Sequence, residues 1–141
     1  SAASLIGIRE TRHFIGLKQI TEKDIIEARQ FEDRVVQGAW FNFDVHNISG
    51  ASLDKTGVQK HFKQQNGYSI PYGCMVPTKT DGLLLTGRNI SGTHMAHSSF
   101  RAMPICVGIG EACGAAAAIA VKKNINLRDV KPEEIRKLNF D

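Results

Sequence analysis

Apolar and polar positions change rhythm several times along the chain. Short apolar runs around Gly7 and Gly16 predict two brief extended segments, near Leu5–Ile8 and His13–Leu17. Thr21 with Asp24 three residues on is an acidic variant of the capping box, and Glu22 adds charge to the first turn, so a helix starts there. Ile25, Ala28, Val35 and Val36 can share its inner stripe, and Gly38 ends it. From Trp40 to His46 the period drops to two. Trp40, Asn42, Asp44 and His46 fall on one face and Phe41, Phe43 and Val45 on the other, which predicts a strand with one polar face. Asn47 to Lys55 is turn-rich, and Val58 to Gln65 fits a short helix or a strand. Asn66-Gly67 marks a turn, after which Tyr68, Ile70 and Tyr72 alternate as a strand that Pro71 confines to an edge.

Asp81-Gly82 leads into Leu83-Leu84-Leu85-Thr86, an apolar run without alternation, as in a parallel strand covered on both faces. It stops at Gly87-Arg88-Asn89. Ile90 to Phe100, rich in Ser, Gly, Thr and His, predicts a loop. Pro104 suits the first turn of a helix running from Ile105 to about Lys123, with two lysines in its last turn and Asn124 as its cap. A last helix opens at Pro132-Glu133-Glu134 and carries Ile135 and Leu138 inward. Strand, glycine turn, loop and long helix make one crossover-like unit of an α/β fold. One such unit cannot close a core alone, so further strands must come from the first half or from another part of the protein.

Size and charge narrow the classes. The 141 residues suit one domain, and 42% hydrophobic content is ordinary for a globular chain. A net charge of +4, spread out and not interleaved with aromatics, gives no support for nucleic-acid binding. No apolar run approaches the ~20 residues of a membrane span. The stretch Met103–Val121, broken by Pro104, Glu111 and glycines, predicts a buried helix instead. The chain shows no signal-peptide pattern, begins with Ser1 and opens mid-pattern, which fits a fragment and leaves the compartment open. Cys74, Cys106 and Cys113 contain no CxxC. Cys106 and Cys113 share a helix face about 10 Å apart along its axis, too far for a disulfide.

Two places can carry chemistry. A buried strand ending at Gly87 lets a ligand approach the backbone, and the next helix offers unpaired N–H groups and a partial positive charge at its start. That helix is nearly free of bulk at Gly108, Gly110, Ala112 and Gly114, so a backbone or a flat cofactor can come close. His94, His97 and Arg101 suit a substrate carboxylate or a negatively charged cofactor ring. Asp44 and His46 form an orienting pair or merely a wet face. No zinc spacing joins these histidines to a cysteine, so no metal site is expected. Ser91, Ser98 and Ser99 lack a GxSxG elbow, and nothing in the sequence lowers the pKa of Cys74 convincingly, which leaves a hydrolase as the weakest reading.

The ordered stretches Ile8 to Gly16, Phe43 to His46, Gly67 to Pro77, Leu83 to Arg88, Ile90-Ser91, Ala96-His97, Arg101 and Pro104 to Ala116 span nearly the whole chain. In this order they resemble the C-terminal portion of FAD-dependent oxidoreductases of the glutathione-reductase-like superfamily. More narrowly, they are similar to the bacterial group in which some members are labelled xanthan-lyase-related. The resemblance implies an incomplete FAD/NAD(P)-binding Rossmann-like fold, with residues 1–66 a substrate-side or connecting region and 67–141 the C-terminal part of the FAD-binding domain. It implies FAD contacts at Arg9, Gly87, Arg88, Asn89, Ser91, Met103, Pro104, Ile105 and Gly108. His46, His94, His97 and Arg101 would act in catalysis, with Arg12, Tyr68 and Tyr72 also lining the flavin or substrate side.

The family's GxGxxG fingerprint is missing: Gly108-Ile109-Gly110 lies within a helix pattern and lacks the third glycine. The expected partners are therefore a small organic substrate and a separate GxGxxG-bearing half. Self-association through open sheet edges is also expected. The competing reading is a non-catalytic binding or structural domain that keeps the fold remnant.

Overall fold

The computed structural model describes residues 10, 12–45, 64 and 66–140. In chain order the elements are helix α1 (Glu22–Ile26), strands β1 (Arg34–Ala39) and β2 (Tyr68–Pro71), and helices α2 (His94–Phe100), α3 (Met103–Lys123) and α4 (Pro132–Phe140). β1 and β2 form an antiparallel pair, and α3 packs against β1 and α4. A single core runs through them, including Ile25, Val35, Tyr68, Ile70, Phe100 and Ile109.

The capping box forms. The Thr21 backbone N–H and hydroxyl donate to Asp24 Oδ2 at 2.9 and 2.7 Å, and Asp24 N–H donates back to Thr21 Oγ1 at 3.4 Å. Arg29 Nη1 adds a bond to Asp24 Oδ1 at 2.9 Å. Burial pushes the Asp24 carboxyl up, but the Thr21 and Arg29 hydrogen bonds outweigh it and hold it below its ordinary 3.8. A depressed carboxylate stabilises the fold above its unfolded pKa, and that contribution is lost as pH falls through the folded value. Asp24→Ala should therefore cost about 1–2 kcal/mol at pH 7 in urea unfolding. The difference from wild type should shrink as pH drops below 4.

The helix ends sooner than its apolar stripe predicts. Ala28 adopts φ +49°, and the chain then turns into β1. Val35 and Val36 are β-branched, and β2 offers them a backbone partner that a continued helix would forgo. The pairing is irregular, with Arg34 opposite Pro71, Val36 opposite Ile70 and Ala39 opposite Tyr68. β2 is the strand expected from Tyr68 and Ile70, with Pro71 at its end.

Other expectations need correcting. His13–Leu17, expected as a short strand or an extended turn, forms the turn and no named strand. It makes one bridge, Gly16 to Pro77, and a Leu17 N–H bond to Val76 O at 2.9 Å. The described part of the strand expected over Trp40–His46, residues 40–45, forms no strand, because Ser98 of α2 and Arg101 at its end take the backbone polar groups of Asp44. Leu83–Thr86 is not a covered parallel strand either: Leu83 is exposed, and Leu85 N–H reaches only Met75 O, at 2.7 Å. The expected loop before Phe100 instead contains α2, capped by the Thr93 hydroxyl accepting from Ala96 N–H. Ile135 is buried as expected, whereas Leu138 is exposed.

At 21 residues α3 is, by length and composition, long and apolar enough to cross a membrane, contrary to the sequence expectation. Its Ile105, Ile109, Ala112, Ala116 and Ile119 nevertheless enter the protein core. Asn124 closes it in the left-handed conformation at φ +53°. The segments Leu5–Ile8 and Asn47–Lys55, and residues 58–63, lie outside the described residues.

Candidate functional site

The start of α3 is open. Ala102 occupies the cap position, no side chain caps the helix, Pro104 sits in the first turn, and that turn carries no acidic residue. Among the described residues, the first-turn N–H groups therefore have no side-chain acceptor and the helix dipole no acidic residue in that turn. Met103 is 82% exposed.

Gly87 turns the chain at φ +79°, and a Cβ there would meet nothing within 4 Å. The short 3-10 turn Gly87–Asn89 packs on α3. Burial raises the Cys106 thiol pKa, and nearby Arg88 offsets only part of the rise. Ile105 is buried, and a Cβ on Gly108 would lie 3.4 Å from Val36. Pro104, Ile105 and Gly108 line a groove of about 230 Å³ shared with Val36 and Trp40. Ser91 stands apart, fully buried, with its N–H on Cys74 O at 2.9 Å. Arg9 lies outside the described residues.

A second cavity, of about 280 Å³, is lined by Glu10, Asp44, His94, His97, Ser98 and Arg101 among others. One turn of α2 places His94 and His97 on neighbouring positions, and Arg101 caps the helix end. His94 Nδ1 lies 2.7 Å and His97 Nδ1 3.5 Å from Glu10 Oε2, and His13 Nε2 meets the other Glu10 oxygen. Arg101 Nη2 donates to Asp44 O at 2.8 Å and to Asp44 Oδ2 at 2.7 Å. The His97 ring is 3% exposed, stands edge-on to Phe100 at 5.4 Å, and its Nε2 has no hydrogen-bond partner. Burial lowers the His97 pKa from 6.5, Glu10 opposes this, and Arg101, His13 and His94 reinforce it. The ring is therefore neutral at pH 7 and able to accept a proton.

The structure thus brings His94, His97 and Arg101 together, while His46 lies outside the described residues. Sequence reasoning missed Glu10 as a site residue. Its one signal is an isolated acid in the basic run Arg9-Glu10-Thr11-Arg12-His13.

Tyr68 and Tyr72 do not line either opening. Tyr68 OH is 3.0 Å from Ser99 Oγ, Tyr72 OH donates to Leu127 O at 2.7 Å, and burial raises both phenol pKa values. Burial pushes the Cys74 thiol up to about 12, which removes it as a nucleophile at neutral pH. No group of three His, Cys, Asp or Glu among the described residues can hold a metal ion.

A family model described as FAD dependent oxidoreductase matches residues 1–138. The chain belongs to that family. Its function is of the FAD-dependent oxidoreductase type, and its cofactor is FAD. No curated protein and no solved structure matches the chain. The start of α3 fits the family's cofactor: an uncapped helix end with no acidic residue in its first turn, on a helix against which the Gly87–Asn89 turn packs, suits an electron-rich ring or a phosphate. Bound FAD supplies a two-electron acceptor.

Proposed function

We propose that this chain forms the flavin-facing and substrate-facing part of an enzyme that passes a hydride between a small organic substrate and FAD. The observation that carries this reading is the uncapped start of α3, a helix against which the Gly87–Asn89 turn packs. Met103, Pro104 and Gly87–Asn89 would hold the flavin, with backbone N–H groups and the helix dipole favouring negative charge on it. His94 and His97 would face the substrate, with His97 as the proton acceptor and Arg101 fixed by Asp44 as part of the wall.

The GxGxxG half that grips the ADP moiety is proposed to lie elsewhere in a glutathione-reductase-like parent, since this sequence has no such fingerprint. Met103, Val107 and Val121 leave an exposed apolar stripe on α3 that this half would cover. On this reading residues 67–141 complete the FAD-binding domain and residues 1–66 belong to the substrate side.

Met103→Asp tests the flavin wall, because its two effects have opposite signs. A carboxylate in the first turn should stabilise α3 by about 0.3–1 kcal/mol. The same charge beside the flavin should weaken FAD binding by the full-length gene product roughly 10- to 100-fold, since unit charges ~4 Å apart interact by a few kcal/mol near a protein surface. A thermal-shift gain with FAD affinity unchanged would move the flavin away from α3.

A further inference from the structure

Glu10 holds the histidines of the second cavity in one arrangement. Nδ1 of both His94 and His97 is turned to the same carboxylate oxygen, at 2.7 and 3.5 Å. A carboxylate only accepts hydrogen bonds, so it favours an Nδ1–H over a lone pair on the His97 nitrogen 3.5 Å away, and the neutral His97 ring then keeps its lone pair on Nε2. That lone pair is buried and unpartnered, in a ring that walls the cavity. A buried acceptor without a donor is costly to leave unmade, and a ligand that supplies the donor gains what the apo site lacks.

The described charges around the cavity narrow the ligand further. Arg101 is committed to Asp44 through two bonds, and Glu10 is itself an anion. A carboxylate ligand would find no uncommitted permanent cation among the described lining residues, and it would face Glu10. This differs from one of the two ligands that the sequence suggests there, a substrate carboxylate or a negatively charged cofactor ring.

We propose that Glu10 is a positioning residue that fixes His97 as the Nδ1–H tautomer, so that the buried Nε2 accepts a hydrogen bond from the hydroxyl of a neutral alcohol-class substrate. The proposal rests on the reading that this cavity is the substrate side of the flavoenzyme. The test uses the full chain labelled with ¹⁵N-histidine, with His97 assigned from His97→Gln. It compares wild type, Glu10→Ala and Glu10→Gln by long-range ¹H–¹⁵N spectra across pH, without flavin.

Wild type should show His97 protonated at Nδ1. Glu10→Ala should release it toward the Nε2–H form. Glu10→Gln, whose amide oxygen still accepts, should keep the tautomer but lower the His97 pKa, because the Glu10 charge raises it. Benzyl alcohol should move the Nε2 resonance and benzoate, of similar shape, should not. An Nε2–H tautomer in wild type, spectra indifferent to both Glu10 variants, or a response to benzoate but not to benzyl alcohol would each overturn the proposal. FAD affinity, measured separately on the full-length gene product with the Glu10 substitutions, should be unchanged. Absence of FAD binding there would count against the flavoenzyme reading and leave the tautomer result standing.

Discussion

Gly67→Ala should destabilise the protein by about 3 kcal/mol, seen as a lower urea midpoint at unchanged m-value. A Cβ on Gly67 would lie 2.6 Å from Gly38 Cα, 2.7 Å from its carbonyl carbon and 2.9 Å from its oxygen. These atoms are backbone, so no flexible side chain can swing aside. Gly38 itself turns at φ +64°, a conformation that L side chains adopt only under strain. The two glycines meet where β1 leaves its partner, near the Ala39–Tyr68 pair. Relief of the clash would have to separate the strands, and β1 also packs against α3. The damage should therefore reach the groove at Pro104 and Gly108, which Gly38 helps to line. A loss below ~0.5 kcal/mol would show that the strands separate without disturbing the core, as an ordinary surface substitution does.

The sequence revealed what depends on neighbouring residues. Thr21 and Asp24 make a capping box because both partners lie within one turn, and Asn124 caps α3 through its own backbone preference. Tyr68 and Ile70 were legible as a strand for the same reason, although Tyr72, expected to continue it, opens a 3-10 turn. The sequence misled where a distant partner decides the outcome. Val35 and Val36 fit a helical stripe and a strand equally well, and only the presence of β2 selects the strand. Leu83–Thr86 is apolar enough for a sheet centre, yet among the described residues no strand pairs with it. The polar composition of Ile90–Phe100 concealed α2, whose Ser98 and Ser99 are buried and bond Met95 O and Phe41 O.

The candidate site was legible to a similar degree. His94, His97 and Arg101 were visible because they are near neighbours in the sequence, although the helix that carries the two histidines was not. Glu10 was invisible as a member because 84 residues separate it from His94, and only folding brings them together. Gly87 and the start of α3 were visible because a glycine stop and a first-turn proline are local signals. What no local signal gives is the exposure of Met103 and the absence of any capping side chain.

The proposed division of the flavin site also predicts a large difference in affinity. The start of α3 can stabilise the ring, but the ADP moiety of FAD carries much of the binding energy through the glycine-rich turn and helix of a fingerprint unit. This sequence contains no GxGxxG. A wall without that grip should hold FAD at least ~100-fold more weakly than the complete site, a difference of about 2.7 kcal/mol or more. The direct measurement is a calorimetric titration of FAD into this chain and into the full-length product of its gene. The account predicts tight one-to-one binding by the full-length protein and binding at least 100-fold weaker by the chain. Equal affinity would overturn the separate fingerprint half, and no binding by either protein would contradict the flavin site at α3.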